Sequence, residues 1–142
     1  MLLGLDISTS ITGYTLLDED EVILNGAWDT RKFKDFFDKA RFVQEGLDEV
    51  FKKYGSEIES VYIEQSLQSF RSGFSSAKTI STLARFNGIV SWLVFDQLQI
   101  KPKYIAATSA RKLCGIKNIH SSSYTDPTGS LKKHTITYQA LT

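Results

Sequence analysis

The sequence is poor in the residues that build disulfides, zinc centres and membrane spans. Cys114 is the single cysteine, so no intrachain disulfide can form and a cysteine-rich zinc site is excluded. The longest apolar stretch, residues 89–95, is interrupted by Ser91 and is far shorter than the roughly 20 residues that cross a bilayer. No basic segment precedes a long apolar one near Met1, as a secretory signal would require. These absences predict no membrane partner and a reducing, cytoplasmic location.

Proline is also scarce, with two residues, and no repeat or low-complexity tract divides the chain. The length of 142 residues, 42% of them hydrophobic, suffices for one domain with a buried core. Two domains of ordinary size would need a longer chain. We therefore predict a single domain over residues 1–142.

Positive charge is concentrated in the last third of the sequence. Residues 1–100 contain 10 Lys and Arg against 15 Asp and Glu, whereas residues 101–142 contain 7 against 1. Clustered cations gain free energy from counterion release when they meet a polyanion. The basic third is therefore a candidate phosphate-binding surface, and an ordinary solvated surface is the alternative.

The hydrophobic pattern of the first half predicts three strands and a long helix. Short apolar runs joined by tight turns predict an antiparallel meander at residues 2–7, 13–17 and 22–28. Apolar residues then recur at helical spacing over residues 31–54, with Asp29 and Thr30 as N-terminal caps. Gly55 follows as the predicted helix stop.

The second half alternates strands and helices. The pattern predicts a strand at 60–63 ending on Glu64, a loop at 65–76, a helix at 77–97, a strand at 104–107, and helices at 108–114 and 130–141. A helix crosses between the first and fourth strands, so these two strands should be parallel. We predict an α/β domain with a mixed sheet and helices on its faces.

Two carboxylates end otherwise apolar strands. Asp6 follows Leu3 and Leu5, and Glu64 follows Val61 and Ile63. Buried carboxylates are costly unless a cation neutralises them, and Mg²⁺ prefers a few carboxylate oxygens together with water and substrate phosphate. A shared metal site is one interpretation, and separate ion pairs with Lys or Arg are the other.

The residues around these carboxylates carry a family resemblance. Asp6 precedes a small polar turn and Thr12-Gly13-Tyr14, while Glu64 lies in Tyr62-Ile63-Glu64-Gln65. These segments resemble the first two motifs of RuvC-type Holliday-junction resolvases, whose Asp and Glu are metal ligands. Residues 83–88 and 104–115 also resemble that family in order and spacing, so the resemblance spans residues 2–115.

The resemblance implies an RNase H-like fold and a structure-selective DNA endonuclease that resolves four-way junctions. In this family Asp6 would bridge two Mg²⁺ ions about 4 Å apart and Glu64 would hold one of them, with Mn²⁺ as a substitute. Branched DNA is the implied substrate, and a homodimer through the 77–97 helix is the implied assembly. Small residues at Ala84, Gly88 and Ser91 would allow close packing across a two-fold axis, unless they pack within the monomer.

DNA contacts are predicted in the loop and in the basic third. Apolar tips of the loop, Leu67 and Phe70, would wedge between bases at an opened junction, or else fold back as local core. The predicted DNA-binding residues are Leu67, Phe70, Arg71, Arg111, Lys112, Lys117, Lys132 and Lys133.

The sequence departs from the family pattern at two places. Ile7-Ser8-Thr9-Ser10 replaces the Pro-Gly-Ser of many members, which suggests a divergent, viral branch acting in the host cytoplasm. The family also needs two more acidic or histidine ligands on a C-terminal helix, and beyond residue 115 the sequence offers His120, Asp126 and His134. We therefore expect a C-terminally truncated or shortened nuclease domain that binds four-way DNA but cleaves it slowly or not at all.

Two other functions fit part of the pattern. A non-catalytic module could bind junction DNA with an incomplete metal site. An ATP-binding fragment of the actin and sugar-kinase superfamily would also have a first strand ending in Asp and followed by hydroxyl residues. This sequence lacks that superfamily's second, Gly-rich phosphate loop.

Overall fold

The computed structural model describes residues 1–65 and 76–106, which form a mixed sheet and two helices. The elements in chain order are β1 (Leu2–Asp6), β2 (Ile11–Asp18), β3 (Glu21–Asp29), α1 (Phe36–Tyr54), a 3-10 turn (Gly55–Glu57), β4 (Ser60–Gln65), α2 (Ala77–Leu98) and β5 (Lys103–Ala106). The predicted helices at 108–114 and 130–141 lie outside the described residues.

The sheet has five strands in the order β3-β2-β1-β4-β5. β1 and β2 pair antiparallel, as do β2 and β3, which confirms the predicted meander. β4 is parallel to β1 and β5 is parallel to β4, as the helical crossovers require. Glu19, with φ of 55°, makes the tight turn between β2 and β3.

Helix α1 begins at Phe36, and the predicted start at residue 31 is wrong. Asp35 is the N-terminal cap, since its carboxylate accepts hydrogen bonds from the backbone N–H groups of Phe37 and Asp38. Asp29 accepts instead from Arg31. The helix ends at Tyr54, and Gly55 continues with right-handed dihedrals into the 3-10 turn, so it is not a left-handed stop.

Both helices cover one face of the sheet. Strand side chains alternate between faces, and Leu3, Leu5 and Ile63 belong to the buried cluster together with residues of both helices. The helical members of this cluster are Ala40, Val43, Leu47, Val50, Phe86, Val90 and Val94. Asp6 and Glu64 alternate with these strand residues and therefore lie on the opposite face.

Helix α2 has one buried side and one open side. Ser91 is 8% exposed and donates its hydroxyl to the Asn87 carbonyl oxygen, so it belongs to the buried side. Of the predicted small-residue face, Ser91 therefore packs within the monomer, which is one of the two alternatives, whereas Ala84 and Gly88 are exposed. Trp92, one turn after Gly88, is 59% exposed. Across residues 1–65 and 76–106, neither helix is long and apolar enough to cross a membrane.

Trp28 fills the space between the meander and α1. Its ring stacks on Tyr14 with centroids 4.2 Å apart. A Cβ added to Gly46 in α1 would overlap the Trp28 indole. Gly46 is therefore needed for close packing of the helix on this ring.

Candidate metal and DNA site

Asp6 and Glu64 lie side by side at the ends of two central strands. They are direct partners in the parallel register of β1 and β4, and neighbouring strands are about 4.8 Å apart. Their side chains point to the same face because they share a register position. Glu64 is 7% exposed and Asp6 is half-buried, so both residues are partly or largely shielded from solvent at this end of the sheet.

The other neighbour of Asp6 is a glycine. Gly13 in β2 is the antiparallel partner of Asp6 and is buried. Within the sheet, the neighbours of Asp6 are therefore a glutamate in β4 and a glycine in β2. This placement gives Gly13 in the Thr12-Gly13-Tyr14 segment a physical role, since a larger residue there would stand beside the Asp6 carboxylate.

Thr12 holds the polar turn that follows Asp6. Its side chain is fully buried, and its hydroxyl donates to the Ser8 carbonyl oxygen at 2.9 Å while accepting from the Ser8 N–H at 3.3 Å. The hydroxyls of Ser8 and Ser10 lie 2.9 Å apart across the turn. These bonds fix the backbone directly after the candidate ligand.

The turn is also tied to the chain that leads into α1. Buried Thr30 donates its hydroxyl to the Thr9 carbonyl oxygen at 2.7 Å and its N–H to the Ser10 carbonyl oxygen at 2.8 Å. The Lys39 ammonium donates to the same Thr9 oxygen at 2.8 Å. The role of Thr30 and Lys39 as supports of the site was not predicted, because contacts over 20 to 30 residues leave no local pattern.

Several strands end at the same end of the sheet as Asp6. β1, β3, β4 and β5 all run in one direction, as their pairings require, so their last residues share one edge. Asp29, the last residue of β3, forms an ion pair with Arg31 at 2.6 Å. Hydrogen bonds from the Arg31 guanidinium and backbone lower the pKa of Asp29 from 3.8 to about 2.

The remaining predicted site residues lie outside the described residues. They are Leu67, Phe70, Arg71, Arg111, Lys112, Lys117, Lys132 and Lys133, together with His120, Asp126 and His134. From the basic third, Lys101 and Lys103 are described and exposed. Within residues 1–65 and 76–106, no group of three or more His, Cys, Asp or Glu side chains could hold a metal ion. Of the predicted metal ligands, Asp6 and Glu64 lie within the described part of the chain.

Comparison with known proteins gives one sequence match of note. No protein-family model matches the chain. A crossover junction endodeoxyribonuclease RuvC from Trichlorobacter lovleyi is 36% identical over 74 residues. The match covers 47% of this chain and 42% of that relative, so the chain spans less than half the length of the curated protein it matches.

Two solved structures are similar to this chain in fold. RuvC of Thermus thermophilus in complex with a Holliday junction substrate has a TM-score of 0.67 at 10% identity, covering 97% of this chain and 90% of that one. A second Thermus thermophilus RuvC structure has a TM-score of 0.62 at 11% identity, covering 97% and 91%. The predicted resemblance to RuvC-type resolvases is confirmed, as is the mixed-sheet RNase H-like fold.

Proposed function

We propose, from the likeness to RuvC in sequence and fold, that this chain is a structure-selective DNA endonuclease acting on four-way junctions. The observation that carries the proposal is the register of β1 and β4, which pairs Asp6 with Glu64 at the sheet edge. The similar proteins are RuvC enzymes by name. This similarity favours a nuclease over an ATP-binding fragment.

The donor set suits a divalent cation. Carboxylate oxygens are preferred ligands of Mg²⁺, which takes one or two of them and completes its octahedron with water and substrate phosphate. Asp6 and Glu64 would hold the ion, and Mn²⁺ accepts the same oxygen ligands. When bound, such ions activate water and stabilise the charge that develops on the phosphodiester.

The chain's own residues would position these ligands. Thr12 fixes the turn after Asp6, and Thr30 and Lys39 hold that turn against the start of α1. A displacement of about 1 Å in a catalytic group costs on the order of a hundredfold in rate, so a fixed backbone at this point matters. Gly13, the β2 partner of Asp6, adds no side chain of its own beside it.

Junction binding and cleavage should be measured separately on the full chain. The binding arm compares affinity for a four-way junction with affinity for linear duplex of the same sequence. The cleavage arm follows end-labelled junction strands with Mg²⁺, Mn²⁺ or a chelator. Asp6→Asn is the test variant. Asp18→Asn, at the exposed end of β2 on the opposite sheet edge, is the control with the same charge change.

We expect tighter binding to the junction than to duplex, and slow metal-dependent nicking that Asp6→Asn abolishes and Asp18→Asn leaves intact. Junction binding without any nicking, even with Mn²⁺, would favour the non-catalytic binding module. If the chain does not prefer the junction to duplex, both candidates are wrong.

We also propose that two copies pair through the open side of α2. Ala84, Gly88 and Trp92 are spaced one turn apart and are all exposed. Among residues 1–65 and 76–106, a Cβ added to Gly88 would meet nothing within 4 Å, so the described part leaves room here for another chain. Two sites related by a two-fold axis would suit the symmetry of a four-way junction.

Gly88→Gln tests this interface, because it should disrupt the dimer without destabilising the monomer. The monomer should be as stable as the parent or more so, because Gln has a higher helix propensity than Gly by about 0.5–1 kcal/mol and meets no obstacle. Close packing across a two-fold axis should be lost. Analytical ultracentrifugation should therefore show a dimer for the parent chain and a monomer for the variant, and an unchanged sedimentation coefficient would refute this interface.

A further inference from the structure

Positive charge in the first hundred residues is concentrated in one short segment. Five of the ten Lys and Arg of residues 1–100 lie in residues 31–41, against two acids in the same segment. Asp35, one of these acids, accepts from two backbone N–H groups as the cap of α1. The segment is therefore a local excess of cations in a part of the chain that is acidic as a whole.

Three of these cations are exposed, and we name them the basic ridge: Lys32, Lys34 and Arg41. Among the described residues, none of the three is within ion-pair distance of a carboxylate, whereas Arg31 is paired with Asp29. Lys32 is held over the rings of Phe33 and Phe42, 5.0 and 5.3 Å from their centroids. A cation held in this way loses less conformational freedom when it binds an anion.

The basic ridge lies at the same end of the sheet as the two carboxylates. Its residues follow the end of β3, which is two strands, or about 10 Å, from the end of β1. Arg41 lies on α1, which covers the sheet face opposite to that of Asp6 and Glu64. The bonds of Thr30 and Lys39 to the turn after Asp6 tie the ridge to the site.

An exposed aromatic side chain lies among the residues of the basic ridge. Phe37 is 71% exposed, and it lies one helical turn before Arg41 on α1. Cations interleaved with exposed aromatic side chains are typical of surfaces that follow a nucleic-acid backbone. An acidic protein could bind the same cations, but their position at the same end of the sheet as a candidate nuclease centre favours nucleic acid as the partner.

We infer that the basic ridge binds backbone phosphates of the DNA arm next to the Asp6 and Glu64 site. This inference rests on the proposed function. It adds a DNA-binding surface to those predicted in the loop at 65–76 and in the basic third at 101–142. The ridge would set the register of the arm relative to the carboxylates. Phosphate contacts position a protein on DNA without reading its sequence, so the contribution should be the same for any junction sequence.

The test compares two pairs of cations that lie on α1 or just before its first residue. Lys34→Ala/Arg41→Ala removes two charges from the ridge, and Lys52→Ala/Lys53→Ala removes two exposed charges from the other end of α1. Both are made in the full chain carrying Asp6→Asn, so that cleavage cannot interfere. Affinity for a four-way junction and for linear duplex is measured from about 50 to 200 mM salt, the range over which phosphate contacts are screened out. Thermal unfolding checks that each variant is folded.

Loss of two phosphate contacts should reduce the slope of log K against log salt by about 1.8. We expect a tenfold or greater loss of affinity for the ridge pair and no change in slope for the helix-end pair. An unchanged slope for the ridge pair, or equal effects of the two pairs, would overturn the inference. If the Asp6→Asn chain binds neither junction nor duplex, the proposed function fails instead. If the Asp6→Asn chain binds the junction, adding Lys34→Glu/Arg41→Glu must lower its affinity further than the alanine pair does.

Discussion

Replacing Thr12 with Val tests whether a buried hydroxyl holds the turn behind the candidate metal ligand. Val has nearly the same shape, so packing is preserved while both hydrogen bonds to Ser8 are lost. Each such bond contributes about 0.5–1.5 kcal/mol, so the loss of both bonds to the half-buried Ser8 costs about 1–3 kcal/mol. We expect Thr12→Val to lower the free energy of unfolding by about 1–3 kcal/mol.

Thr15→Val is the matched control. Thr15 is as buried as Thr12, at 1% exposed, but its hydroxyl donates to the side chain of Asn25, which is exposed. The Asn25 amide can bind water after the substitution, and Val is favoured in strands, so the loss should be below about 1 kcal/mol.

Urea unfolding measures the difference between the two variants. With a slope of about 1–3 kcal/mol per molar, the midpoint for Thr12→Val should fall by about 1 M at an unchanged slope. Amide exchange at Ser8 should also quicken, because its N–H loses the Thr12 acceptor. Equal midpoints for Thr12→Val and Thr15→Val would refute the assigned role of the Thr12 hydroxyl.

Two further predictions concern packing and pH. Gly46→Ala should destabilise the chain by about 1–3 kcal/mol in thermal or urea unfolding, because its Cβ overlaps Trp28, whereas Gly88→Ala should stabilise it by about 0.5–1 kcal/mol. In Arg31→Ala, NMR titration should show the pKa of Asp29 rising from about 2 toward 3.8, with the retained backbone N–H keeping part of the shift. Since the folded pKa is the lower one, the stabilising effect of Asp29 is present above pH 3.8 and is lost as the pH falls toward 2. An unchanged Asp29 titration would contradict the assigned cause.

The sequence predicted the antiparallel meander and the parallel direction of β1 and β4 because these depend on local patterns. Apolar runs and tight turns define the meander, and a helical crossover between β1 and β4 dictates parallel pairing. The start of α1 was wrong because Asp29 and Asp35 are both good caps in sequence. The choice depends on which carboxylate meets free N–H groups, and Asp29 is engaged by Arg31.

Contacts between distant segments could not be predicted in the same way. Asp6 and Glu64 were placed together because both end apolar strands and resemble a family pattern. Lys39 gave no such sign, since an exposed helical lysine and one that reaches a carbonyl oxygen look alike in sequence. The charge pattern did contain a hint of the ridge, because residues 31–41 are basic within an acidic half.

The pairing of Asp6 with Glu64 makes the candidate site dependent on strand alignment. The two residues are 58 positions apart and meet only when β1 and β4 pair in this register. A slip of one residue would turn Glu64 toward the helices and Ile63 toward the opposite face, while the strand order stayed the same. Insertion of a single residue within β4 should therefore remove the carboxylate pair from a chain that still folds. Insertion in the 3-10 turn before β4 leaves the pairing available.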